Sequence, residues 1–268
     1  MRPILFTIAG FPVRSYGFFI AVGIIAGLWL AVAVARRRKR PYAELIWDFA
    51  LTAMISGILG ARVWEVVFTW DYYGQHLVEI PMLWHGGLSI QGAIAGGLLA
   101  AIWFTRKHRI PMWDFLDTLT PGVLLGQAIG RLFACFLNGD AYGKPTGSWF
   151  GVIYQPDTAA YQVFGAQRLW PAEVFEGLWD LAVMGLALWM LFRRKQPAQG
   201  RVVLWYLVLY SLGRFGLEFL RADSLGFFGT GLKAAQVTSL VTAAVAGALL
   251  FARRGQGKAL TQDRPTEA

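Results

Sequence analysis

Arg131 and Arg214 each stand inside a stretch otherwise apolar enough for the interior of a lipid bilayer. A guanidinium placed there costs about 2.5–3.5 kcal/mol on insertion scales, so it normally faces the protein interior and has a task. The first occurs in Gly130-Arg131-Leu132, the second in Tyr210-Ser211-Leu212-Gly213-Arg214-Phe215-Gly216-Leu217-Glu218. Guanidinium forks match phosphate or carboxylate oxygens two at a time. With Tyr210 and Glu218 beside Arg214, they describe a pocket for an anion, and the abundant anion of a membrane is a phospholipid head group. Other chemistries find little support. Cys135 is the only cysteine, and His76, His85 and His108 show no ligand spacing, so no disulfide and no metal centre is expected.

The elements that must carry these residues are apolar runs. Of the 268 residues 56% are hydrophobic and 15% charged, the profile of a polytopic membrane protein. Seven runs of about 20 residues, the length that spans ~30 Å of hydrocarbon, fall near 15–35, 46–68, 86–104, 113–137, 173–192, 202–220 and 234–252. The fold expected is therefore an all-α polytopic membrane protein with seven transmembrane helices. The formal charge of +9 is concentrated in short clusters such as Arg36-Arg37-Arg38-Lys39-Arg40 and Arg106-Lys107-His108-Arg109, a loop pattern that argues against nucleic acid as a partner. Segments 36–45, 105–112, 193–201 and 253–268 hold sixteen Lys and Arg, and the alternate segments hold six. That asymmetry places the N-terminus outside and the C-terminus in the cytoplasm. The reading is one integral membrane domain over 1–254, with an interfacial arm at 69–85, an extracytoplasmic cap at 138–172 and a disordered cytoplasmic tail at 255–268. Gly122, Gly126 and Gly130 form one small-residue stripe and Gly23 and Gly27 another, both suited to close helix contact.

This topology brings Tyr16, His85, Arg131, Arg214 and Glu218 to the outer half of the membrane. Structural alternatives stand beside each. Arg214 and Glu218 could be an i,i+4 pair, Arg131 could snorkel to lipid phosphate, and His85 could be a satisfied interfacial histidine. Tyr16 and Tyr210 could be belt or core aromatics. Arg62 and Glu65 read as an intrahelical pair. Helix-dipole placement accounts for Asp114, Asp117, Glu173 and Glu176 after Pro111 and Pro171.

Three blocks carry a family resemblance. They are Trp84-His85-Gly86-Gly87-Leu88-Ser89-Ile90-Gln91-Gly92, the stretch GQAIGRLFACFLNGDAYGKPT over 126–146, and YSLGRFGLEFLR over 210–221. Together with Val13-Arg14-Ser15-Tyr16-Gly17 they resemble, in order, the bacterial phosphatidylglycerol–prolipoprotein diacylglyceryl transferases. There are departures. Seven positions separate Arg131 from Asn138 where the family pattern has six, so one residue is inserted among Leu132, Phe133 and Ala134. Trp170-Pro171-Ala172-Glu173-Val174-Phe175-Glu176 replaces the family's HPSQLYE-like stretch, leaving only Glu176 a chemical role, and Asp140 stands where many members have Glu.

The resemblance implies transfer of the diacylglyceryl group of phosphatidylglycerol to the lipobox cysteine thiol of a prolipoprotein signal peptide, with glycerol phosphate released. It implies no cofactor and a place in the bacterial plasma membrane, with the active site facing the extracytoplasmic side. On that reading Arg131, Arg214 and His85 are catalytic, the arginines at the phosphate and His85 as base. Glu218 and Tyr210 orient Arg214; Tyr16, Asn138 and Asp140 line the site, and Gly143 permits close backbone approach. The main alternative is an anionic-phospholipid transporter or flippase.

Overall fold

The computed structural model describes residues 3–8, 10–193, 198–224, 226 and 231–253. The tail expected at 255–268 lies outside them. The protein is mostly helical. Its helices are α1 (Ser15–Arg37), α2 (Leu45–Phe68), α3 (Trp70–Tyr73), α4 (Ile90–Lys107), α5 (Met112–Ile129), α6 (Phe136–Asn138), α7 (Ala159–Phe164), α8 (Ala172–Phe192), α9 (Arg201–Leu217) and α10 (Ala234–Ala252). A π-helical turn, Gly130–Cys135, joins α5 to α6. Among the described residues, five helical segments are long and apolar enough to cross a membrane: Ser15–Arg37, Leu45–Phe68, Met112–Asn138, Ala172–Phe192 and Ala234–Ala252. The expected third and sixth runs also form helices, α4 and α9, but these span 18 and 17 residues. α4 starts late because Gly86 and Gly87 adopt left-handed φ of 86° and 68°. The chain is also not wholly helical. β1 (Ile4–Ile8) pairs antiparallel with β2 (Phe11–Arg14), and β3 (Val152–Ile153) with β4 (Arg168–Leu169). Both hairpins lie outside the long apolar runs, where turn-rich sequence permits extended backbone.

The chain divides into two compact units, Met1–Leu30 with Leu116–Ala268, and Ala31–Phe115. Within the second unit, α2 and α4 cross closely because Gly60 faces Gly92 and Gly96, and a Cβ on any of the three would meet backbone. Phe49, Phe104 and Phe115 fill the same unit with edge-to-face contacts. Asp114 does more than favour a helix start. It accepts hydrogen bonds from Arg38 at 3.0 Å, Arg40 at 2.6 Å and Tyr42 at 2.5 Å. Arg62 departs from the intrahelical pair expected with Glu65. It is buried, and its guanidinium donates to the carbonyls of Glu79, Ile80, Gly86 and Gly87 and to the Tyr73 hydroxyl. Five acceptors on one arginine tie the arm over 69–87 to α2, because a buried guanidinium needs partners for its donors.

In the first unit the two glycine stripes meet. Gly23 packs on Gly126 and Gly27 on Gly122, fixing the first half of α1 against α5. Asp117 caps α9 from a distance, accepting from the Gly200 amide at 2.7 Å and the Val203 amide at 2.9 Å. The cap over 138–172 has its own small core of Tyr142, Tyr154, Ala160 and Leu169. It is fastened at its base by Tyr154, whose hydroxyl donates to Glu173 Oε1 at 2.5 Å. Glu173 is fully buried and its Oε2 has no hydrogen-bond partner among the described residues. Tyr154→Phe should therefore cost about 2–3 kcal/mol by stranding a buried carboxylate. Thermal unfolding and limited proteolysis of the cap in detergent would register this; an unchanged midpoint and digestion pattern would show that the contact carries no load.

Candidate functional site

The site in the first unit is built from three stretches. α5 leads through the π-turn to Arg131, α8 supplies Glu176 and Asp180, and α9 with the chain after it supplies Tyr210, Arg214, Glu218 and Arg221. The residue inserted between Arg131 and Asn138 falls within the π-turn, whose wider winding takes up one extra residue inside a helix. Gly177 allows this turn to lie against α8, since a Cβ there would meet Leu132.

Glu176 is the hub. Its Oε2 pairs with Arg131 Nε at 3.0 Å, and its Oε1 with Arg214 Nη1 at 2.7 Å and Arg221 Nη1 at 3.0 Å. Arg214 Nη1 also meets Glu218 Oε2 at 2.6 Å, one turn along α9. Arg221 spends its other nitrogens, Nε and Nη2, on Asp223. Burying this much charge is costly, and only dense mutual pairing offsets it. Desolvation opposes the charged Arg221, but Asp223 and Glu176 outweigh it and hold its pKa above the ordinary arginine range.

The three arginines differ in what remains available. The Arg221 side chain is 9% exposed, against 28% for Arg131 and 18% for Arg214. Arg221 is committed to structure, whereas the side chains of Arg131 and Arg214 remain more accessible. Arg131, Glu176, Trp179, Asp180, Tyr210, Arg214 and Leu217 together line a cavity of about 10 Å³, room for one water-sized group. Lys233 anchors this end of the unit: its ammonium donates to the Glu218 carbonyl at 2.6 Å, the Arg221 carbonyl at 2.8 Å and Ser224 Oγ at 3.0 Å.

The remaining expected residues are placed as follows. Tyr16, at the start of α1, is within electrostatic reach of Arg131, Cys135 and Asp140. Cys135 Sγ lies 4.0 Å from Arg131 Nη1. Asn138 hydrogen-bonds the carboxyl of Asp140; desolvation pushes that carboxyl above the usual carboxylate range, and the Asn138 contact opposes the shift. What closely approaches Gly143 is the chain's own backbone. A Cβ there would meet Trp170 and the Leu220 carbonyl, and its amide donates to Trp170 O at 3.0 Å. Lys144 N to Leu220 O at 2.7 Å and Ala222 N to Tyr142 O at 3.1 Å continue the seam, so the cap holds the segment bearing Arg221. His85 belongs to the second unit. It ends the 3-10 turn Leu83–His85, is exposed, and sets its ring edge-on to Trp84 at 6.1 Å. Arg62 holds the carbonyls of the two glycines that follow it.

Glu176 is more central than its place in the sequence suggests, and Arg221, Asp180 and Lys233 join the site, the last two without a motif that marks them. Arg221 was visible as the last residue of the third block, one helical turn beyond Glu218.

Residues 3–252 match the family described as prolipoprotein diacylglyceryl transferase. The chain belongs to this family. It is 40% identical over 252 residues to the phosphatidylglycerol–prolipoprotein diacylglyceryl transferase of Geobacillus kaustophilus, covering 92% of each chain. The enzyme of the same name from Acaryochloris marina is 38% identical over 240 residues, 89% of this chain and 86% of the relative. That of Listeria monocytogenes is 35% identical over 257 residues, 95% and 90% respectively. Membership of this family makes the chain a transferase, and the arginine–glutamate cluster is its candidate catalytic site.

Proposed function

We propose that this chain transfers the diacylglyceryl group of phosphatidylglycerol to the lipobox cysteine of prolipoprotein signal peptides, at the outer face of a bacterial plasma membrane. The observation that carries the reading is the convergence of Arg131 and Arg214, from separate helices, on one carboxylate while their side chains stay partly exposed. Their free nitrogens suit the phosphodiester oxygens of the head group.

The lipobox cysteine attacks as its thiolate at the glyceryl carbon that bears the phosphate ester, and the thiol proton passes to a base, for which the family resemblance offers His85. As the C–S bond forms, the C–O bond breaks, and its electron pair leaves with glycerol phosphate. Charge accumulating on that phosphate is stabilised by Arg131 and Arg214 in a site of low dielectric. Glu176 and Glu218 hold the two guanidiniums in place beforehand, so little reorganisation accompanies the reaction. Tyr210, on the cavity wall beside Arg214, helps orient it, and Tyr16, Asn138 and Asp140 line the glycerol side. Gly143 serves the site through the cap's backbone seam. No step calls for a metal or cofactor, since the nucleophile comes with the peptide.

Purified protein incubated with phosphatidylglycerol and a lipobox peptide should give a peptide carrying the mass of one diacylglyceryl group, stable to hydroxylamine as a thioether is. A transporter or flippase would leave the peptide unmodified and move lipid between leaflets instead. His85→Gln is expected to lower kcat about 10²–10³-fold with KM for the lipid nearly unchanged. A rise in KM at normal kcat would remove His85 from proton transfer.

A further inference from the structure

A second place on the molecule combines a cation with an apolar trough. At the end of α9 remote from Arg214, a cavity of about 440 Å³ opens between α9 and α10, lined by Arg201, Trp205, Val208, Gly247, Leu250 and Phe251. Arg201 and Arg214 are thirteen residues apart, about 20 Å along the helix, so this trough is separate from the arginine–glutamate cluster. Open space stands over Gly247, where an added Cβ would meet nothing within 4 Å. Its walls include exposed aromatic surface, with Trp205 41% and Phe251 73% accessible.

Arg201 stands at the mouth. Among the described residues its guanidinium makes no ion pair or side-chain hydrogen bond, unlike Arg131, Arg214 and Arg221, which are all bound to carboxylates. The nearby carboxylate that could have taken it, Asp117, is turned onto the Gly200 and Val203 amides. Arg253 adds a second cation at this end, its Nη2 lying 3.3 Å from the Gln199 carbonyl. A fixed positive charge at a helix terminus, an indole one turn away and an apolar channel running along both helices together match one class of ligand. Basic pockets between membrane helices bind anionic head groups in this way, while the indole suits the interfacial layer of a bilayer.

We propose that the α9–α10 trough is a binding site for an anionic diacyl phospholipid, distinct from the donor-lipid site. The phosphate is held at Arg201, and one acyl chain lies over Gly247 between Val208, Leu250 and Phe251. A neutral zwitterionic lipid fills the channel equally well but lacks the net charge that Arg201 rewards. A helix from another protein would set an apolar side chain at the mouth and leave Arg201 uncompensated, and this favours the lipid.

The test is native mass spectrometry of the full chain in detergent, titrated with phosphatidylserine or with phosphatidylcholine of the same acyl chains. Phosphatidylserine is anionic but lacks the glycerol head group. The wild-type chain should retain one phosphatidylserine about tenfold more tightly than phosphatidylcholine. Arg201→Gln, which removes the charge, and Gly247→Leu, which fills the trough and leaves the charge, should each reduce that preference to about twofold or less. Arg201→Lys should keep most of it, and Arg214→Ala should keep all of it. Unchanged retention in Arg201→Gln and Gly247→Leu would overturn the proposal. So would loss of the lipid in Arg214→Ala alone, which would place it at the arginine–glutamate cluster. If Gly247→Leu altered oligomer size while lipid retention persisted, the trough would belong to a second copy of the chain and the proposal would equally fall.

Discussion

Arg214→Ala is expected to reduce thioether formation at least about 10³-fold while the protein still inserts and purifies, because a phosphate-directed guanidinium acts mainly on the transition state. The expectation follows from how Arg214 is held. Its Nη1 bridges Glu176 at 2.7 Å and Glu218 at 2.6 Å, which fixes the fork with its remaining nitrogens turned elsewhere. Alanine removes the donors and also leaves Glu218, 1% exposed, without its nearest cation. Some loss of stability should therefore accompany the loss of rate, and lysine is the control that separates the two. Arg214→Lys restores a charge near Glu218 but not a bidentate fork. It should recover stability and regain little activity. Single-turnover transfer to a lipobox peptide, read beside the thermal midpoint in detergent, distinguishes these effects. Near-normal turnover in Arg214→Ala would remove this residue from the chemistry.

Glu176→Gln should be the most damaging substitution to the architecture of the site. One carboxylate engages Arg131, Arg214 and Arg221, and its side chain is only 6% exposed. Glutamine preserves the shape but removes the charge, and it turns an NH₂ group toward guanidinium donors. Leaving buried charge uncompensated costs about 3–5 kcal/mol. Activity should fall about 10²-fold or more, since displacement of a catalytic group by about 1 Å has consequences of that size. Glu176→Asp, which keeps the charge on a shorter stem, should recover stability more than rate. A Glu176→Gln protein as stable and as active as the parent would show that the three arginines are organised by something other than this carboxylate.

The helices and the two principal arginines could be read from residue order, because a guanidinium inside an apolar run is conspicuous without any structure. Glu176 was hidden by an adequate local explanation: it follows Pro171 in the first turns of α8, where an acidic residue needs no further reason. Asp114 and Asp117 were hidden in the same way, yet one gathers Arg38, Arg40 and Tyr42 and the other caps α9, 83 residues away in the chain. Arg62 shows the converse. Its spacing from Glu65 suggests a local pair, but the long side chain reaches carbonyls 17 to 25 residues further on. Local spacing can report helix faces; it cannot report which distant backbone lacks a partner. The extra residue before Asn138 was countable, whereas its accommodation as a π-turn depends on contacts with α8 that no local pattern encodes. α4 and α9 were expected to be full spans and are shorter, since a glycine pair delays the start of one and the other ends at Leu217, three residues before the apolar run does.

A structure of the protein with a phosphatidylglycerol head group bound would test the account most directly, through the distances from its phosphate oxygens to Arg131 and Arg214. The account predicts both guanidiniums within about 3 Å of phosphate oxygens, with Glu176 still bound behind them. A phosphate held elsewhere, with both arginines closed on Glu176 alone, would contradict it.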